Sequence, residues 1–192
     1  MQVFLETERL VLRPLTAADL DQLVELDSDP DVMRFLNGGR PTPRDVMQTE
    51  MLPKFLHQGF WAAIERSTGA FLGWFEFRPR EGDSPHEVVL GYRLRKSAWG
   101  KGYGTEGARA LIDMGFTDLG VQRVVATTMT VNTASRRVME KAGLTLVRIF
   151  HQAWPDSIEG GDQGDVEYAL CKAGWERRQR AATKTEPGSS AY

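Results

Sequence analysis

A glycine-rich segment near the middle of the chain constrains the fold more than any other feature of the sequence. An apolar run ends at Leu94, and Gly100, Gly102 and Gly104 then alternate with other residues before a helical pattern begins. Glycine adopts backbone angles that let successive N–H groups point into one concavity. A helix N-terminus adds unpaired N–H groups and a partial positive charge. The segment therefore predicts a strand–loop–helix unit that binds an anion such as a diphosphate.

Two common nucleotide-binding motifs do not match this segment. A dinucleotide fingerprint has G-x-G-x-x-G in a first βαβ unit and an acidic residue at the end of the next strand. Here the spacing is G-x-G-x-G, and the next predicted strand ends at Val131-Asn132. The Gly-Lys-Ser/Thr ending of a P-loop is also missing from the sequence. The glycines alone still allow a turn that joins a strand to a helix without binding a ligand.

Hydrophobic periodicity predicts an α/β fold around this loop. Strands joined by short links are expected to pair antiparallel, whereas the fourth and fifth strands flank a helix and are expected to be parallel, with a right-handed crossover. Asp29-Pro30 is expected to end the first helix, and Pro53 to kink or stop the second. The result is a mixed central sheet of about seven strands with helices on both faces. The predicted strands are residues 7–15, 60–65, 71–77, 87–94, 121–131, 144–153 and 166–170, and the predicted helices are residues 16–29, 42–53, 102–119 and 133–142.

Length and composition narrow the class of protein. The 192 residues favour one domain, and the formal net charge of −2 disfavours a nucleic-acid binder, which carries a basic excess. No stretch resembles a membrane span or a signal peptide, so a cytoplasmic protein without a membrane partner is expected. The single Cys171 excludes an intrachain disulfide, and no metal site is expected. Residues 1–175 are predicted to form one domain, and residues 176–192, charged and then rich in Gly, Ser and Pro, a flexible tail.

Two motifs together resemble the GNAT acetyltransferase superfamily. Trp99-Gly-Lys-Gly-Tyr-Gly104 is similar to the Q/R-x-x-G-x-G/A pyrophosphate loop, with Trp99 where many members have Gln or Arg. This variant resembles the branch of ribosomal-protein N-terminal acetyltransferases, which often has W-G-K-G-Y-A-T-E. Residues 131–144 are similar to V-N-x-x-S-x-x-V-x-x-K-x-G-F of that branch, with Leu144 in place of Phe. The resemblance covers most of the chain and implies a single-domain GNAT fold, with its sheet splayed between the fourth and fifth strands.

The resemblance also implies acetyl-CoA as co-substrate, bound where those two strands separate. The backbone of the fourth strand at Tyr92 and Leu94 would bond the pantetheine arm and the thioester carbonyl, because an open strand edge offers matching N–H and C=O groups. Asn132, and Ser135 beside it, would meet the pantetheine arm at the end of the fifth strand. The loop residues expected to hold the pyrophosphate are Trp99, Gly100, Lys101, Gly102, Tyr103, Gly104 and Thr105.

A proton donor for the leaving thiolate is the first catalytic group to seek. Many members of the superfamily have a Tyr seven residues after the Asn, but here that position is Met139, which has no proton to donate. The branch resemblance offers Ser135 instead. Serine is also favoured at helix starts, so a purely structural role for Ser135 is an equal alternative. A free thiol has a pKa of about 8.5, so its thiolate needs little help to leave.

A general base that accepts a proton from the amine is the second catalytic group to seek. It must reach the amine directly or through one water. Glu87, at the start of the fourth strand, and Glu76, on the third, are the candidates, and His86 and His151 lie near expected edges of the cleft. Solvated strand positions are the alternative for each carboxylate.

The predicted activity is transfer of the acetyl group of acetyl-CoA to a primary amine, on a peptide N-terminus or a small molecule, by direct attack in a ternary complex. A CoA-binding sensor or partner module without catalysis is the alternative, and a nucleotide-binding protein unrelated to CoA is a third. The expected state is a monomer or a homodimer. The sequence does not name the acceptor, and fold-level analogy is a weak guide to it.

Overall fold

The computed structural model describes residues 4–57, 59–80, 82, 84–152 and 158–185. Its described part contains one eight-stranded sheet with the strand order β1-β2-β3-β4-β5-β6-β8-β7. All neighbouring strands in this sheet are antiparallel except β5 and β6, which are parallel. The strands are β1 (Leu5–Glu6), β2 (Leu10–Pro14), β3 (Phe60–Glu65), β4 (Phe71–Pro79), β5 (Glu87–Leu94), β6 (Arg123–Met129), β7 (Thr145–Phe150) and β8 (Asp165–Cys171).

Helices cover both faces of the sheet, as the sequence predicts. Between β2 and β3 lie α1, α2 and a continuous segment in which α3 passes through a π-helical turn (Met47–Met51) into α4. α5 connects β5 to β6, α6 follows β6, and α7 follows β8. The helices are α1 (Leu20–Leu26), α2 (Pro30–Asn37), α3 (Arg44–Val46), α4 (Leu52–Phe55), α5 (Tyr103–Thr117), α6 (Thr133–Lys141) and α7 (Lys172–Thr185).

The parallel seam between β5 and β6 is short. Across residues 84–152, the two strands pair only at Glu87–Arg123, Val88–Val124 and Val89–Val125. Residues 90–94 of β5 continue along β4, from Leu90 opposite Phe77 to Leu94 opposite Gly73. The remainder of β6 pairs on its other side with β8. A gap therefore opens between the carboxyl ends of β5 and β6, which confirms the predicted splay.

Side chains alternate between the two faces of β5 and so belong to different cores. Val88, Leu90 and Leu94 pack in the larger core beneath α5 and α6. Gly115 of α5 allows close packing on this face, since a Cβ there would lie 2.6 Å from Cζ of Phe77. The even-numbered residues of β5 therefore face α5 and α6.

The opposite face carries the smaller core, under α1 and the segment from α3 to α4. Trp74 of β4 packs there with Leu23 and Phe55. Arg93 of β5 reaches the same side, where its Nη1 donates to both carboxylate oxygens of Asp27, at 2.5 and 2.6 Å. Asp27 directly follows α1 and is only 1% exposed. This buried pair fixes α1 to the unpaired half of β5.

Three features differ from the sequence prediction. The sheet has an eighth strand because Leu5–Glu6 pairs back on β2. Pro30, expected to end a helix, instead begins α2, where Asp29 accepts a hydrogen bond from the N–H of Asp31 at 2.9 Å. A proline suits the first helical position because its missing N–H would be unpaired there anyway. Pro53 does not stop its helix, since the π-helical turn before it continues into α4.

The segment expected to be a flexible tail begins inside α7, and its flexibility stays a prediction. Residues 176–185 continue α7, and the indole of Trp175 at its start donates to Asp113 Oδ1 at 2.6 Å. Arg178 donates to the carbonyl of Gly143. Both contacts lie in the first half of α7. The second half of the helix can therefore form without a periodic pattern of apolar residues in its sequence. Residues 186–192 and Ala153, the last residue of a predicted strand, lie outside the described residues, and the domain end at residue 175 stays a prediction.

Candidate functional site

The glycine loop has the backbone geometry expected of an anion site. Gly100 and Gly102 have φ values of 72° and 87°, in the left-handed region that favours glycine. α5 begins directly after Gly102, and among the described residues no side chain caps its N-terminus. The first N–H groups of α5 are thus left for a ligand. Trp99 anchors the loop, because its Nε1 donates to the Leu94 carbonyl at 2.8 Å.

Arg9 supports this loop and was not anticipated from the sequence. Its Nε donates to Glu106 Oε2 at 2.7 Å, and its Nη1 donates to the carbonyl of Lys101 at 2.9 Å. Its guanidinium also lies over the ring of Tyr103, 4.7 Å from the centroid. Arg9 therefore ties the start of β2 to the loop and brings a cation beside it. Nothing local in the sequence indicates a contact between residues 97 positions apart.

The loop residues contribute mainly through their backbone. The hydroxyl of Tyr103 donates to Glu65, and this contact raises the pKa of the phenol. A Cβ at Gly104 would lie 3.5 Å from Val138 of α6, an ordinary van der Waals contact, so packing against α6 does not by itself require glycine there. Thr105 is half-buried in the first turn of α5, and Lys101 is exposed at the rim. The predicted pyrophosphate residues thus form one continuous loop and helix start.

Asn132 and Ser135 lie at the junction of β6 and α6, on the far wall of the gap. Asn132 is the N-cap of α6, and its Oδ1 accepts a hydrogen bond from the N–H of Ser135 at 3.1 Å. The capping role considered for Ser135 therefore belongs to Asn132. The side-chain N–H groups of Asn132 are not used by this cap and suit an amide-bearing ligand in the gap.

The side chain of Ser135 is engaged by Tyr92, from the unpaired half of β5. Tyr92 Oη lies 3.0 Å from Ser135 Oγ and 2.9 Å from the Ser135 carbonyl. The sequence predicted only a backbone role for Tyr92. Met139, one turn further along α6, is 2% exposed and packs in the core. The hydroxyl groups of Ser135 and Tyr92 thus meet where the proton donor was sought.

The two candidate bases occupy different environments. Glu76 pairs with Gly91 across β4 and β5, and a Cβ built on Gly91 would lie 2.9 Å from Glu76 Oε2. The Glu76 side chain is 17% exposed. Burial raises the pKa of Glu76, and the ion pair with Arg78 at 2.9 Å only partly offsets this. A carboxylate with a raised pKa beside the unpaired part of β5 suits a general base.

Glu87 is committed to an ion-pair network instead. Its Oε2 accepts from Arg123 Nη1 at 2.5 Å, at the closed end of the seam. Arg123 continues to Glu167 at 3.4 Å, and Glu167 pairs with Arg148 at 2.8 Å. The hydrogen bond that Arg123 donates to Glu87 raises the pKa of Arg123. The structure therefore separates the two carboxylates and favours Glu76 as the base.

A cavity of about 440 Å³ adjoins Asn132 at the open end of the gap. It lies between α2 and the loop before β8, and Arg34 of α2 pairs with Glu159 of that loop at 2.9 Å across it. Its walls include Arg34, Phe35, Asn132, Glu159, Gly160 and Asp162. His151 contacts the Asp162 carbonyl at 3.3 Å, whereas His86 contacts Gly120 at 3.2 Å, at the closed end of the seam. Of the two histidines, only His151 is near the cavity.

Comparison with known proteins decides the family. The family model described as "Acetyltransferase (GNAT) domain" matches residues 9–145. The chain belongs to the GNAT acetyltransferase family. A curated relative from Aspergillus fumigatus, FsC-acetyl coenzyme A-N(2)-transacetylase, is 33% identical over 189 residues, which cover 93% of this chain and 80% of the relative. The family, the enzyme class and acetyl-CoA as co-substrate are thereby confirmed, while the branch within the family stays a prediction.

Solved GNAT structures agree with the fold of this acetyltransferase. A GNAT-family acetyltransferase from Bacillus anthracis is 26% identical and superposes with a TM-score of 0.76, covering 88% of this chain and 99% of that one. Spermidine N-acetyltransferase from Vibrio cholerae, solved with CoA and spermine, superposes with a TM-score of 0.73 at 17% identity and the same coverage. The second likeness concerns the fold alone.

The residues present fit CoA. The uncapped N-terminus of α5 and the open space around Gly100 suit a diphosphate, and the unpaired edge of β5 suits an amide-bearing arm. Of the basic residues on α6, Arg136 is engaged by Tyr168 and the Thr130 carbonyl, whereas Arg137 is exposed. In the described part of the acetyltransferase, no helix has the length and apolarity to cross a membrane.

Proposed function

We propose that this GNAT acetyltransferase transfers the acetyl group of acetyl-CoA to a primary amine by direct attack in a ternary complex. One observation carries the proposal. Glu76 lies over Gly91 on one face of β5, and the next residue, Tyr92, reaches Ser135 on the other face. A proton acceptor and a hydrogen-bond donor thus flank the same unpaired stretch of backbone from opposite sides. Attack on a thioester uses both groups, because the amine nitrogen must lose a proton and the sulfur must leave with the electron pair of the C–S bond.

The residues divide the chemistry among them. Acetyl-CoA supplies a thioester carbonyl that is open to attack by an amine. Glu76 accepts a proton from the amine nitrogen, and its raised pKa makes it a stronger base than an exposed glutamate. Unpaired N–H groups of residues 90–94 donate to the oxyanion that develops on the carbonyl. Ser135 donates a hydrogen bond to the sulfur as the C–S bond breaks and its electron pair stays on sulfur.

The acceptor enters, in this proposal, through the cavity beside Asn132. Two carboxylates, those of Glu159 and Asp162, lie along it with one arginine, Arg34, which Glu159 already pairs. The remaining negative charge favours an ammonium group over an anionic acceptor. The name of the fungal relative, an N(2)-transacetylase, supports a nitrogen acceptor. A peptide N-terminus and a small amine both satisfy these features.

The test combines binding and turnover. Thermal unfolding with acetyl-CoA, CoA, NAD and ATP identifies the ligand of the native state, because only a bound ligand raises the melting temperature. Thiol release is then measured with peptide N-termini, polyamines, aminoglycosides and amino acids. We expect stabilisation by the CoA species and turnover of at least one amine. Stabilisation without turnover of any amine favours the CoA-binding sensor or partner module, and stabilisation by ATP or NAD alone removes both proposals.

Three further predictions belong to this proposal. The branch resemblance favours an α-amino group as acceptor, and an α-amino group has a pKa of only about 8, so one carboxylate suffices as base. The other two predictions are a cytoplasmic location and a monomeric or homodimeric state. Size-exclusion chromatography with light scattering measures the assembly state directly.

A further inference from the structure

The contact between Tyr92 and Ser135 links the two walls of the gap. Tyr92 belongs to the half of β5 that has lost its β6 partner, and Ser135 belongs to the first turn of α6. Tyr92 is partly buried against the core beneath α5 and α6. Its hydroxyl lies 2.9 Å from the Ser135 carbonyl, to which it can donate, and 3.0 Å from Ser135 Oγ, a contact in which either hydroxyl can be the donor. A side chain that only filled space there would need no hydroxyl.

Ser135 is held at each of its polar groups. Its N–H donates to Asn132 Oδ1 at 3.1 Å, and its carbonyl and Oγ face the Tyr92 hydroxyl. Because Asn132 supplies the helix cap, the Ser135 hydroxyl is not needed for that purpose. A serine whose backbone is fixed on both sides can still rotate about its Cα–Cβ and Cβ–Oγ bonds, and a hydrogen bond to Oγ restrains both rotations. The partner on Oγ therefore decides where the Ser135 proton points.

The phenol is suited to give a hydrogen bond rather than a proton. Burial raises the pKa of Tyr92, and the hydrogen bond to Ser135 acts in the opposite direction but is outweighed. The phenol thus keeps its proton throughout the pH range of a working enzyme. When it donates to Ser135 Oγ, the proton of Ser135 is released to point into the gap. When it donates to the carbonyl, Ser135 Oγ donates to the phenol and is turned away.

We propose that Tyr92 is a positioning residue that orients the Ser135 hydroxyl toward the sulfur of the departing CoA thiolate. This inference rests on the proposed function. The bond from the amine nitrogen to the acetyl carbon forms, the C–S bond breaks, and the electron pair remains on sulfur. Ser135 donates a hydrogen bond to that thiolate and keeps its proton, as does Tyr92. No further acid is required, because the thiolate of a thiol with a pKa of about 8.5 is an adequate leaving group.

The contact between Tyr92 and Ser135 explains how the site can have a hydrogen-bond donor although position 139 is a methionine. Met139 stands one turn after Ser135 on the same face of α6 and has no polar hydrogen to donate. A phenol reaches this face of the helix from β5 instead. The donor at the sulfur is then a serine hydroxyl whose direction is set from across the gap.

The first experiment is a double-mutant cycle on turnover. Tyr92→Phe removes the phenol hydroxyl and keeps the ring, and Ser135→Ala removes the donor. Losing a hydrogen bond to a charged group lowers kcat roughly 10- to 100-fold. We expect that loss in each single variant, a KM for acetyl-CoA within about twofold of wild type, and no further loss in the double variant. Ser135→Thr, which keeps a hydroxyl, is expected to restore part of kcat.

The second experiment does not depend on turnover. Calorimetry compares the affinity for CoA with that for desulfo-CoA, which lacks the thiol, from pH 7 to above the thiol pKa of about 8.5. Wild type is expected to prefer CoA increasingly as the thiolate forms. Tyr92→Phe and Ser135→Ala are both expected to lose this preference while still binding desulfo-CoA like wild type.

Tyr168→Phe is the matched control. Tyr168 is 1% exposed in the same core, and its hydroxyl also contacts α6, donating to Glu140 at 2.8 Å and accepting from Arg136 at 3.1 Å. It is expected to lower the melting temperature and to keep both kcat and the thiolate preference. The inference is overturned if Tyr92→Phe keeps both, if its effect multiplies with that of Ser135→Ala, or if Tyr168→Phe matches it. Wild type that turns over no amine overturns the proposed function, and the calorimetry still decides the role of Tyr92.

Discussion

Gly102→Glu is the sharpest perturbation of the glycine loop. Gly102 directly precedes α5 with φ at 87°, and a Cβ there has one neighbour within 4 Å, Arg9 Nη2 at 3.3 Å. The substitution therefore requires a small shift of the flexible Arg9 side chain, strains the backbone and places a carboxylate beside the helix start. Two unit charges at about 5 Å and an effective dielectric constant of about 20 repel by roughly 3 kcal/mol. Affinity for acetyl-CoA should fall about 100-fold, at about 1.4 kcal/mol per factor of ten.

Two control variants separate charge from backbone strain. A non-glycine residue in the left-handed region costs roughly 1–2 kcal/mol, which lowers the melting temperature by about 2–8 °C in a chain of this size. Gly120→Glu has the same cost at a φ of 71°, in the turn between α5 and β6, with nothing within 4 Å of its Cβ. Gly102→Gln keeps size and strain without the charge.

Calorimetry with acetyl-CoA and with S-acetyl-pantetheine, which lacks the diphosphate, completes the design. We expect Gly102→Glu to lose acetyl-CoA affinity far more than Gly102→Gln, and Gly120→Glu to bind like wild type. All three should bind S-acetyl-pantetheine like wild type. Wild-type affinity of Gly102→Glu for acetyl-CoA would refute the assignment of the loop to the pyrophosphate.

Four other predictions follow from the ionisable groups and the core. Glu76→Gln should lower kcat by roughly 10²–10⁴-fold, whereas Glu87→Gln should keep it within a few-fold; equal losses in steady-state assays would contradict the separation of the two carboxylates. The pKa of Glu76 lies above its ordinary value of 4.5, so kcat/KM should fall as pH drops through that raised pKa. The same raised pKa means that the charged carboxylate opposes folding at neutral pH. Glu76→Gln should therefore not lower the melting temperature. Asp19 has a lowered pKa, because its hydrogen bonds from Arg13 and Thr16 outweigh the raising effect of burial, so its contribution is present at neutral pH and lost on acidification. Asp19→Ala should cost about 3–5 kcal/mol, seen as a melting point roughly 6–20 °C lower at pH 7 and a smaller difference at pH 3. Gly115→Ala should destabilise the fold by about 1–3 kcal/mol in urea unfolding, because the new methyl group would lie 2.6 Å from Phe77; an unchanged midpoint would mean that the ring moves aside freely.

Local patterns in the sequence predicted most elements well. β3 and β5 have the predicted bounds, and α5 differs from its prediction by one residue at the start and two at the end. These segments have clear periodicity and end at turn residues, so the local sequence pattern was enough to locate them. α2 was missed because an Asp-Pro pair suits a helix end and a helix start equally well.

The functional site was predictable only where it is continuous in sequence. The glycine loop and Asn132 could be proposed from the sequence because each motif lies within one segment. Glu76 and Glu87 look alike as strand carboxylates, and each pairs with an arginine in the structure. Only the register of β5 against β4 and β6 places Glu76 over Gly91 and Glu87 opposite Arg123. Arg9 was missed because its partners are near it only after folding.

The three-pair seam between β5 and β6 also bears on how the protein unfolds. Strands β1–β5 form one ladder and β6–β8 another, and the described ladders share those pairs alone. With so few hydrogen bonds between them, the two ladders are expected to exchange amide protons at separate rates in the free enzyme. A pantetheine arm bonded to residues 90–94 and to Asn132 would act as a missing strand. Binding of acetyl-CoA is therefore expected to make the two ladders unfold as one cooperative unit. Slow exchange of amide protons should then extend across the seam between β5 and β6.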